Sequence, residues 1–142
     1  MVGVALVVGT EEGLWSSGGF SRTVSLLLAA HGVAVVVMGS EERALGEAVG
    51  ELVYGGGRGR HVVGDPRVAE HLAAAIEKAD SVFGPLGIVI ACSFSPGEIM
   101  GALGPLIASR AIACDVLLLR PSDAAPDKLA ERVAALLLAP TA

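Results

Sequence analysis

The stretch Val4-Ala5-Leu6-Val7-Val8-Gly9 begins the pattern that decides the fold. It is a short apolar run, rich in β-branched residues, that ends at a glycine, and apolar residues recur at helical spacing over 19–30. Further runs of the same kind alternate with helical patterns along the chain, with strands predicted over 33–38, 61–63, 88–92 and 116–119. This alternation is typical of βαβ units around a parallel sheet. We therefore predict one α/β domain over 1–142 with about five strands.

Capping residues predict where the helices begin. Ser40 is predicted to be the N-cap of a helix whose apolar positions are Leu45, Val49, Leu52 and Val53. Asp65-Pro66 predicts the start of the next helix, and Ser95 with Glu98 predicts a capping box for the fourth, which Gly104-Pro105 bends or interrupts. A last helix is predicted from near Pro126, with Leu129, Val133, Leu136 and Leu137 on its apolar face.

Composition excludes several classes of protein. The chain is 53% hydrophobic with a mean hydropathy of +0.67 and a net charge of −5, which excludes intrinsic disorder and argues against nucleic-acid binding. No apolar run approaches the roughly 18 residues of a membrane span, and no basic stretch of a signal peptide opens the chain, so a cytoplasmic location is expected. Cys92 and Cys114 lack CxxC spacing and are expected to be buried reduced thiols. So apolar a chain is expected to oligomerise.

The residues Gly9 and 19–37, followed by Gly64-Asp65, Phe83-Gly84-Pro85-Leu86 and Ile88-Val89-Ile90, resemble short-chain dehydrogenases/reductases. The resemblance spans roughly residues 2 to 95, with a weaker match over 116–121 and the last helix. It implies a Rossmann-like, doubly wound parallel sheet with strand order 3-2-1-4-5 and a dinucleotide site at the carboxyl ends of the strands.

The resemblance assigns the tentative cofactor-binding residues. Gly9 and Gly19 stand at the first two glycine positions of the family's phosphate turn, Ser21 replaces the third glycine, and the loop between is lengthened. Its serines and glycines can still direct N–H groups at an anion, since a helix N-terminus follows them. The residues concerned are Ser16, Ser17, Gly18 and Gly19. The alternative is a surface loop pinned by Trp15.

Two further positions bear on the dinucleotide. After the second strand the chain has Gly39 and Ser40 where NAD-preferring members carry an acid, and Arg43 is more simply a solvated residue than a phosphate ligand. Asp65 stands where the family holds the adenine edge, although an N-cap role explains it equally well. NAD(P) is therefore expected to bind weakly or not at all.

The substrate edge and the catalytic residues depart from the family pattern. Ala91-Cys92-Ser93-Phe94 replaces its Asn-Asn-Ala-Gly stretch, which puts bulk at Phe94 and leaves Cys92, Ser93 and Ser95 as substrate-edge candidates. The family's Tyr-x-x-x-Lys pair has no match, because Tyr54 is followed four residues later by Arg58, and neither lysine follows a tyrosine: Lys78 and Lys128. No catalytic residue can be named.

Other chemistries are less favoured. The histidines are expected to fall away from the carboxyl edge: His31, His61 and His71. Glu11, Glu12 and Glu98 form either a carboxylate group at that edge or solvated and capping side chains. The glycine-rich stretch 55–60 is more simply a turn than a phosphate site, and no metal site is predicted. The run Leu136-Leu137-Leu138 is assigned to packing or a partner.

The favoured function is that of a degenerate short-chain dehydrogenase/reductase-like protein without redox chemistry of its own, acting as a non-catalytic or accessory subunit of a homologous or pathway enzyme. Its expected state is a homo-oligomer, or a hetero-oligomer with a catalytically competent homologue. The interface is predicted on the helix over 99–112, so Leu103→Glu and Leu106→Glu should split the oligomer. The alternative is that Gly101, Gly104 and Pro105 merely let this segment pack tightly on the sheet. The alternative is a ligand- or NAD(P)-binding enzyme using the Gly9–Ser21 loop and the Cys92–Ser95 edge, so enzymatic activity stays open, with the missing pair weighing against an autonomous oxidoreductase.

Overall fold

The computed structural model describes residues 3–10, 13–110 and 112–120, together with positions 128, 132 and 135. Strands and helices alternate along these residues. The strands are β1 (Val4–Gly9), β2 (Ala34–Gly39), β3 (Gly59–Val63), β4 (Ile88–Cys92) and β5 (Asp115–Leu119). The helices are α1 (Phe20–Ala30), α2 (Glu42–Tyr54), α3 (Ala69–Val82) and α4 (Pro96–Arg110).

The strands form one parallel sheet in the order β3-β2-β1-β4-β5, so the predicted strand order is confirmed. β1, β2 and β4 are buried along their whole length, as expected for parallel strands covered on both faces. The chain proceeds outward from β1 to β3 and then crosses back to β4. The strand order therefore reverses between β1 and β4, and this is where open α/β sheets bind ligands.

Each face of the sheet has its own core. On one face α1 and α2 pack against the strands through Leu28, Leu45 and Leu52, and Trp15 from the β1–α1 loop joins this cluster. On the other face α3 and α4 pack through Leu72 and Leu103. The helices alternate with the strands for the reason the sequence indicates, because each one presents apolar residues to a sheet whose central strands are buried on both faces.

Two predicted helix starts are wrong. α2 begins at Glu42, and its N-cap residue is Glu41 rather than Ser40. α3 begins at Ala69, because Asp65 closes a preceding turn instead, its carboxylate accepting a hydrogen bond from the Arg67 N–H at 2.9 Å. Short polar side chains stabilise isolated turns as well as helix ends, so the same residue types fit both.

α4 differs from its prediction in two respects. It continues through Pro105 to Arg110 without interruption. Leu103 has no exposed surface and belongs to the core between α4 and the sheet, while Leu106 is only partly buried against the same cluster. The prediction that Leu103→Glu splits an oligomer is therefore wrong, because the substitution strikes the core. Large exposed apolar side chains lie elsewhere in the described residues, at Val53, Tyr54, Val63, Val82, Phe94 and Leu118.

Smaller corrections concern the ends of elements. β3 begins at Gly59, so Gly59 and Arg60 belong to the strand rather than to the preceding turn. Val53 is 53% exposed and is not on the buried face of α2. The predicted last helix and its apolar face lie outside the described residues, as do Glu11, Glu12 and 136–138. None of the described helices is long and apolar enough to cross a membrane.

Candidate functional site

The carboxyl ends of β1, β2 and β4 define the candidate site. These strands end at Gly9, Gly39 and Cys92, and the loops that follow them meet where the strand order reverses. In this architecture a nucleotide lies across the strand ends with its phosphates at the N-terminus of the first helix. We call this groove, which runs across the strand ends Gly9 and Gly39 to the N-terminus of α1, the nucleotide path.

Trp15 fills the space between the ends of β1 and β2. Its side chain is 1% exposed, and its indole Nε1–H donates a hydrogen bond of 3.1 Å to the carbonyl oxygen of Met38. A Cβ atom at Gly9 would lie 2.9 Å from Nε1, and one at Gly39 would lie 2.7 Å from it. Both positions need glycine because the indole is in contact with the backbone. Trp15 does pin this loop, but it does so from the core rather than at the surface, and the anion-binding interpretation of the loop stays a prediction.

The N-terminus of α1 receives acceptors from its own loop. Gly19 is the N-cap residue, and a Cβ atom there would collide with the carbonyl oxygens of Gly13 and Leu14. The Leu14 carbonyl accepts a 3.1 Å hydrogen bond from the N–H of Arg22, one of the first-turn donors that an anion at a helix N-terminus would use. Gly19 is therefore required by the packing of the loop, and a large residue at this position would disrupt the fold.

Ser21 lies inward of the loop. Its residue is fully buried, and its hydroxyl would be 2.6 Å from a Cβ atom at Gly9. This Oγ atom has no hydrogen-bond partner among the described residues, and the same is true of the Nη1 atom of Arg22. Arg22 does pair through Nε with Glu51 of α2 at 3.0 Å. The Ser21 side chain therefore faces the end of β1. The resemblance would place a glycine, which has no side chain, at the position of Ser21.

Glu41 is a site residue that sequence reasoning missed. It follows β2 by two positions, and its Oε1 atom accepts a 3.2 Å hydrogen bond from the N–H of Gly13 in the lengthened loop. The chain's own carboxylate thus takes a backbone donor of the loop. The signal was present in the sequence, since an acid close to the end of the second strand is a feature of NAD-preferring Rossmann sites. Here that acid faces the loop.

The exposed part of the loop borders an acidic cleft. Ser16 and Ser17, next to the exposed Gly18, line a depression of about 460 Å³ with Glu41, Glu42, Arg43, Ala44 and Glu47. Arg43, the one cation among the described residues that line this cleft, has a side chain that is 93% exposed and pairs with Glu47 at 3.3 Å. Its interpretation as a solvated residue is supported. The excess of carboxylates disfavours a phosphate at Ser17 and Gly18.

Asp65 is engaged by Arg67. Its carboxylate accepts hydrogen bonds from the Arg67 side chain at 2.9 and 3.1 Å, and these bonds hold the pKa of Asp65 below its ordinary value. Arg67 also approaches Glu98 at 3.6 Å. The cavity at this point, bounded by Gly9, Ser40 and Asp65, measures about 60 Å³. Pockets for drug-sized ligands measure roughly 300–1,000 Å³, so this cavity is small by comparison.

The residues after β4 connect two loops. The Thr10 hydroxyl donates a 2.9 Å hydrogen bond to Ser93 Oγ, which also accepts the N–H of Ser95 at 3.0 Å. Ser93 is 2% exposed and Cys92 is fully buried, whereas Phe94 is 54% exposed. The substrate-edge candidates therefore divide into a buried pair and the exposed Ser95. The Ser93 hydroxyl crosslinks the loops at the point of strand reversal.

One histidine lies at the carboxyl edge, contrary to prediction. His71 is in the first turn of α3, and its Nδ1 atom accepts the N–H of Asp65 at 2.9 Å. The prediction was wrong because α3 starts later than expected, which brings this residue to the edge. The end of β3 is separated from the end of β4 by three strand spacings, roughly 14 Å. His71 therefore does not provide Ser93 with a general base.

The remaining candidate residues lie at the amino edge of the sheet or donate hydrogen bonds to backbone carbonyl oxygens. Tyr54 is 95% exposed at the end of α2, and Arg58 bonds the carbonyl oxygen of Gly32 at 3.3 Å. Arg60 bonds the carbonyl oxygen of Gly59 and lies over the Phe83 ring. Among the described residues no group of three or more potential metal ligands is found. These observations define a Rossmann-type fold in which Trp15, Ser21 and the Leu14 carbonyl lie between the ends of β1 and β2 and the N-terminus of α1.

Solved structures identify the variety of Rossmann fold. A 3-ketoacyl-ACP reductase from Sinorhizobium meliloti 1021 is 31% identical, with a TM-score of 0.56 over 63% of this chain and 32% of that chain. A short-chain type dehydrogenase/reductase from Mycobacterium ulcerans is 27% identical, with a TM-score of 0.54 over 63% of this chain and 31% of that one. The chain thus spans about a third of the length of these two proteins.

A third comparison covers more of both chains. A metagenomic short-chain oxidoreductase, solved in complex with NADP, is 15% identical with a TM-score of 0.66 over 97% of this chain and 91% of that chain. No protein-family model matches the sequence, and no curated protein matches it either. The resemblance to the short-chain dehydrogenases/reductases is confirmed, and the described sheet and helices have their fold.

Proposed function

We propose that this chain is a short-chain dehydrogenase/reductase-like protein that does not bind a dinucleotide in the usual manner, has no redox chemistry of its own, and acts as an accessory subunit of a homologous or pathway enzyme. The observation that carries the proposal is the occupation of the nucleotide path by the protein itself. Trp15 fills the space between the ends of β1 and β2. The Glu41 carboxylate accepts the N–H of Gly13 in the loop, and the Leu14 carbonyl accepts the N–H of Arg22 in α1.

A pyrophosphate at the N-terminus of α1 would have to displace acceptors that the protein itself supplies. It would compete with a carboxylate already bonded to the Gly13 N–H and with a carbonyl bonded to the Arg22 N–H, and it would add negative charge to an acidic cleft. A buried donor or acceptor left without its partner costs roughly 1–3 kcal/mol. Only the Leu14 carbonyl would be left as a buried acceptor, because the pyrophosphate would take over both N–H donors and the Glu41 carboxylate is partly exposed, so this cost offsets part of the roughly 4 kcal/mol that a millimolar dissociation constant represents.

The absence of redox chemistry is supported by the residues that would perform it. The sequence has one tyrosine, Tyr54, and it lies at the end of α2 on the amino side of the sheet. Carbonyl reduction needs a positioned acid that protonates the developing oxyanion. No tyrosine of this chain lies at the carboxyl edge, so pure protein is not expected to oxidise NADPH with carbonyl substrates above background.

A titration with NADPH and NADH tests the proposal. Calorimetry should give dissociation constants no tighter than about 1 mM. Glu41→Gln removes the charge of the internal acceptor and should bind NADPH more tightly than the unmodified chain. Glu42→Gln makes the same change at the next residue, which is not bonded to the loop by any contact described above, and serves as the control. Micromolar affinity of the unmodified chain would overturn the proposal.

The second candidate is an NAD(P)-binding enzyme that uses the Gly9–Ser21 loop and the Cys92–Ser95 edge for non-redox or residual oxidoreductase chemistry. The observation that favours it is the comparison itself, since a structure of the same fold is a complex with NADP. This function requires the loop to rearrange and expose the N–H groups of Gly13 and Arg22. Micromolar binding of NADP, with loss of the Trp15 contact reported by fluorescence, would support it.

The accessory role requires a surface for another subunit. Phe94 and Leu118 are 54% and 40% exposed near the carboxyl ends of the neighbouring strands β4 and β5, and the Ser93 N–H donates to the Leu119 carbonyl between them. Exposed large apolar side chains near one another favour a protein contact. We infer that a second copy, or a homologous chain, binds at this edge.

Sedimentation velocity tests that surface. A double substitution, Phe94→Ser with Leu118→Ser, should reduce the self-association of the purified chain, whereas Val53→Ser, at a comparably exposed apolar residue on α2, should not. Far-UV circular dichroism should be unchanged in each variant. An unmodified chain that remains monomeric at high micromolar concentration would contradict the homo-oligomer.

A further inference from the structure

A second cavity lies at the opposite edge of the sheet, away from the nucleotide path. It measures about 400 Å³ and is bounded by the second half of α3, the turn before β4, the end of α4 and the residues leading into β5. This volume falls within the roughly 300–1,000 Å³ typical of small-molecule pockets. The cavity is therefore large enough for a small organic ligand.

The floor of this amino-edge cavity is apolar and fixed by the fold. Ile76 from α3 and Leu86 from the turn before β4 are each 6% exposed, and both belong to the core between the sheet and α3/α4. Ile112 adds a half-buried side chain, and its N–H donates a 3.1 Å hydrogen bond to the Ile107 carbonyl. An apolar ligand body can bind here without reorganising the backbone.

The rim of the cavity carries an excess of negative charge. Arg110 Nη1 pairs with Glu77 Oε1 at 3.1 Å, which neutralises one carboxylate and ties the end of α4 to α3. Asp80, one turn further along α3, is exposed and makes no ion pair with any described residue. The rim therefore presents an uncompensated carboxylate next to an apolar floor.

We propose that the amino-edge cavity binds a small organic amine, with its ammonium group at Asp80 and its apolar part on Ile76, Leu86 and Ile112. A carboxylate beside an apolar surface favours a cation that has an apolar body, because both parts of the ligand are then matched. A carboxylate ligand would instead have to compete with Glu77 for Arg110 and would be repelled by Asp80. The site is independent of the carboxyl edge and of the function proposed above.

A titration with three probes of equal chain length tests the charge preference. Hexylammonium, hexanol and hexanoate are added to the uniformly ¹⁵N-labelled chain while its amide resonances are followed. Hexylammonium should shift the amides of Ile76, Leu86 and Ile112 saturably, with a dissociation constant of about 1 mM or tighter. Hexanol should bind more weakly, and hexanoate weakest of all.

Two substitutions separate the contributions of charge and space. Asp80→Asn should weaken hexylammonium by about fivefold or more, to the level of hexanol, because the charge-assisted contact is lost. Glu70→Gln makes the same kind of change at an exposed position in the first turn of α3 and should leave binding unchanged. Ala113→Phe fills the cavity from an exposed lining position and should abolish binding of all three probes without unfolding the protein.

The outcomes that would overturn the proposal are distinct from those for the carboxyl edge. Equal affinity for hexylammonium and hexanol, tighter binding of hexanoate, or undiminished binding to the Asp80→Asn variant would each exclude an amine site. Saturable shifts confined to amides outside the cavity would also exclude it. NADPH affinity has no bearing on any of these results.

Discussion

Replacing Trp15 with phenylalanine tests directly whether the indole holds the strand ends together. The substitution keeps an aromatic ring but removes the Nε1–H that bonds the buried Met38 carbonyl at 3.1 Å. Losing this one hydrogen bond costs roughly 0.5–1.5 kcal/mol, because the Met38 carbonyl is also part of the ladder between β1 and β2, and the smaller ring adds a minor packing loss. Trp15→Ala, which also removes the ring from the core, should cost about 3–5 kcal/mol. Domains of this size have total stabilities of about 5–15 kcal/mol, so both effects are measurable.

Urea unfolding followed by far-UV circular dichroism provides the measurement, because Trp15 is the only tryptophan and fluorescence would be lost with it. With a slope of about 1–3 kcal/mol per molar urea, Trp15→Phe should lower the midpoint by about 0.5 M. Tyr54→Leu, at an aromatic residue that is 95% exposed, serves as the control. That control should change stability by no more than about 0.5 kcal/mol.

The result that would refute this reasoning is a Trp15→Phe variant as stable as the unmodified chain. It would mean that the indole does not satisfy the Met38 carbonyl in solution and that the space between Gly9 and Gly39 is open. Trp15 would then not block the binding of a nucleotide between the ends of β1 and β2. An unfolding slope that also changes would indicate altered compactness rather than a simple loss of stability.

Three other substitutions or reactions have defined outcomes. Leu103→Glu should abolish cooperative thermal unfolding, because it places a carboxylate at a position with no exposed surface; a folded variant with reduced self-association would contradict this assignment. Asp65→Asn should be less stable than the unmodified chain above about pH 4, the ordinary unfolded pKa, and the difference should shrink as the pH falls through the lowered pKa of the folded state, as followed by urea titrations. The Cys114 thiol should react slowly with iodoacetamide at neutral pH, because burial and then the nearby Asp115 charge raise its pKa; mass spectrometry showing alkylation as fast as that of a free thiol would contradict this.

The centre of the sheet could be predicted from the sequence because β1, β2 and β4 are continuous apolar runs that no other element accommodates. Val4–Gly9 and Ile88–Cys92 match their predicted positions almost to the residue. The helix starts were less predictable. Asp65 satisfies the requirements of an N-cap, but the structure uses it in a turn, and only the tertiary position of His71 and Arg67 distinguishes the two.

The candidate site was harder to predict, since it depends on contacts between loops. Trp15 lies in a stretch rich in glycine and serine that is compatible with an exposed loop, and its burial follows from the space left by Gly9 and Gly39. Glu41 acts on Gly13, which is distant in sequence, so its role is decided by the fold of the loop. For α4 the composition indicated apolar character, but the choice between core and interface depended on which side of the helix meets the sheet.

The internal hydrogen bonds of the lengthened loop have a consequence for the physiology of the protein. Ligand binding stabilises the folded state of a cofactor-dependent Rossmann domain, so the fraction of such a domain that is folded in the cell depends on the concentration of the ligand. Here the Glu41 carboxylate and the Trp15 indole are part of the polypeptide, and their local concentration is constant. The folded population should therefore be the same whether the cell is rich or poor in nicotinamide nucleotides, as the accessory role proposed above would require.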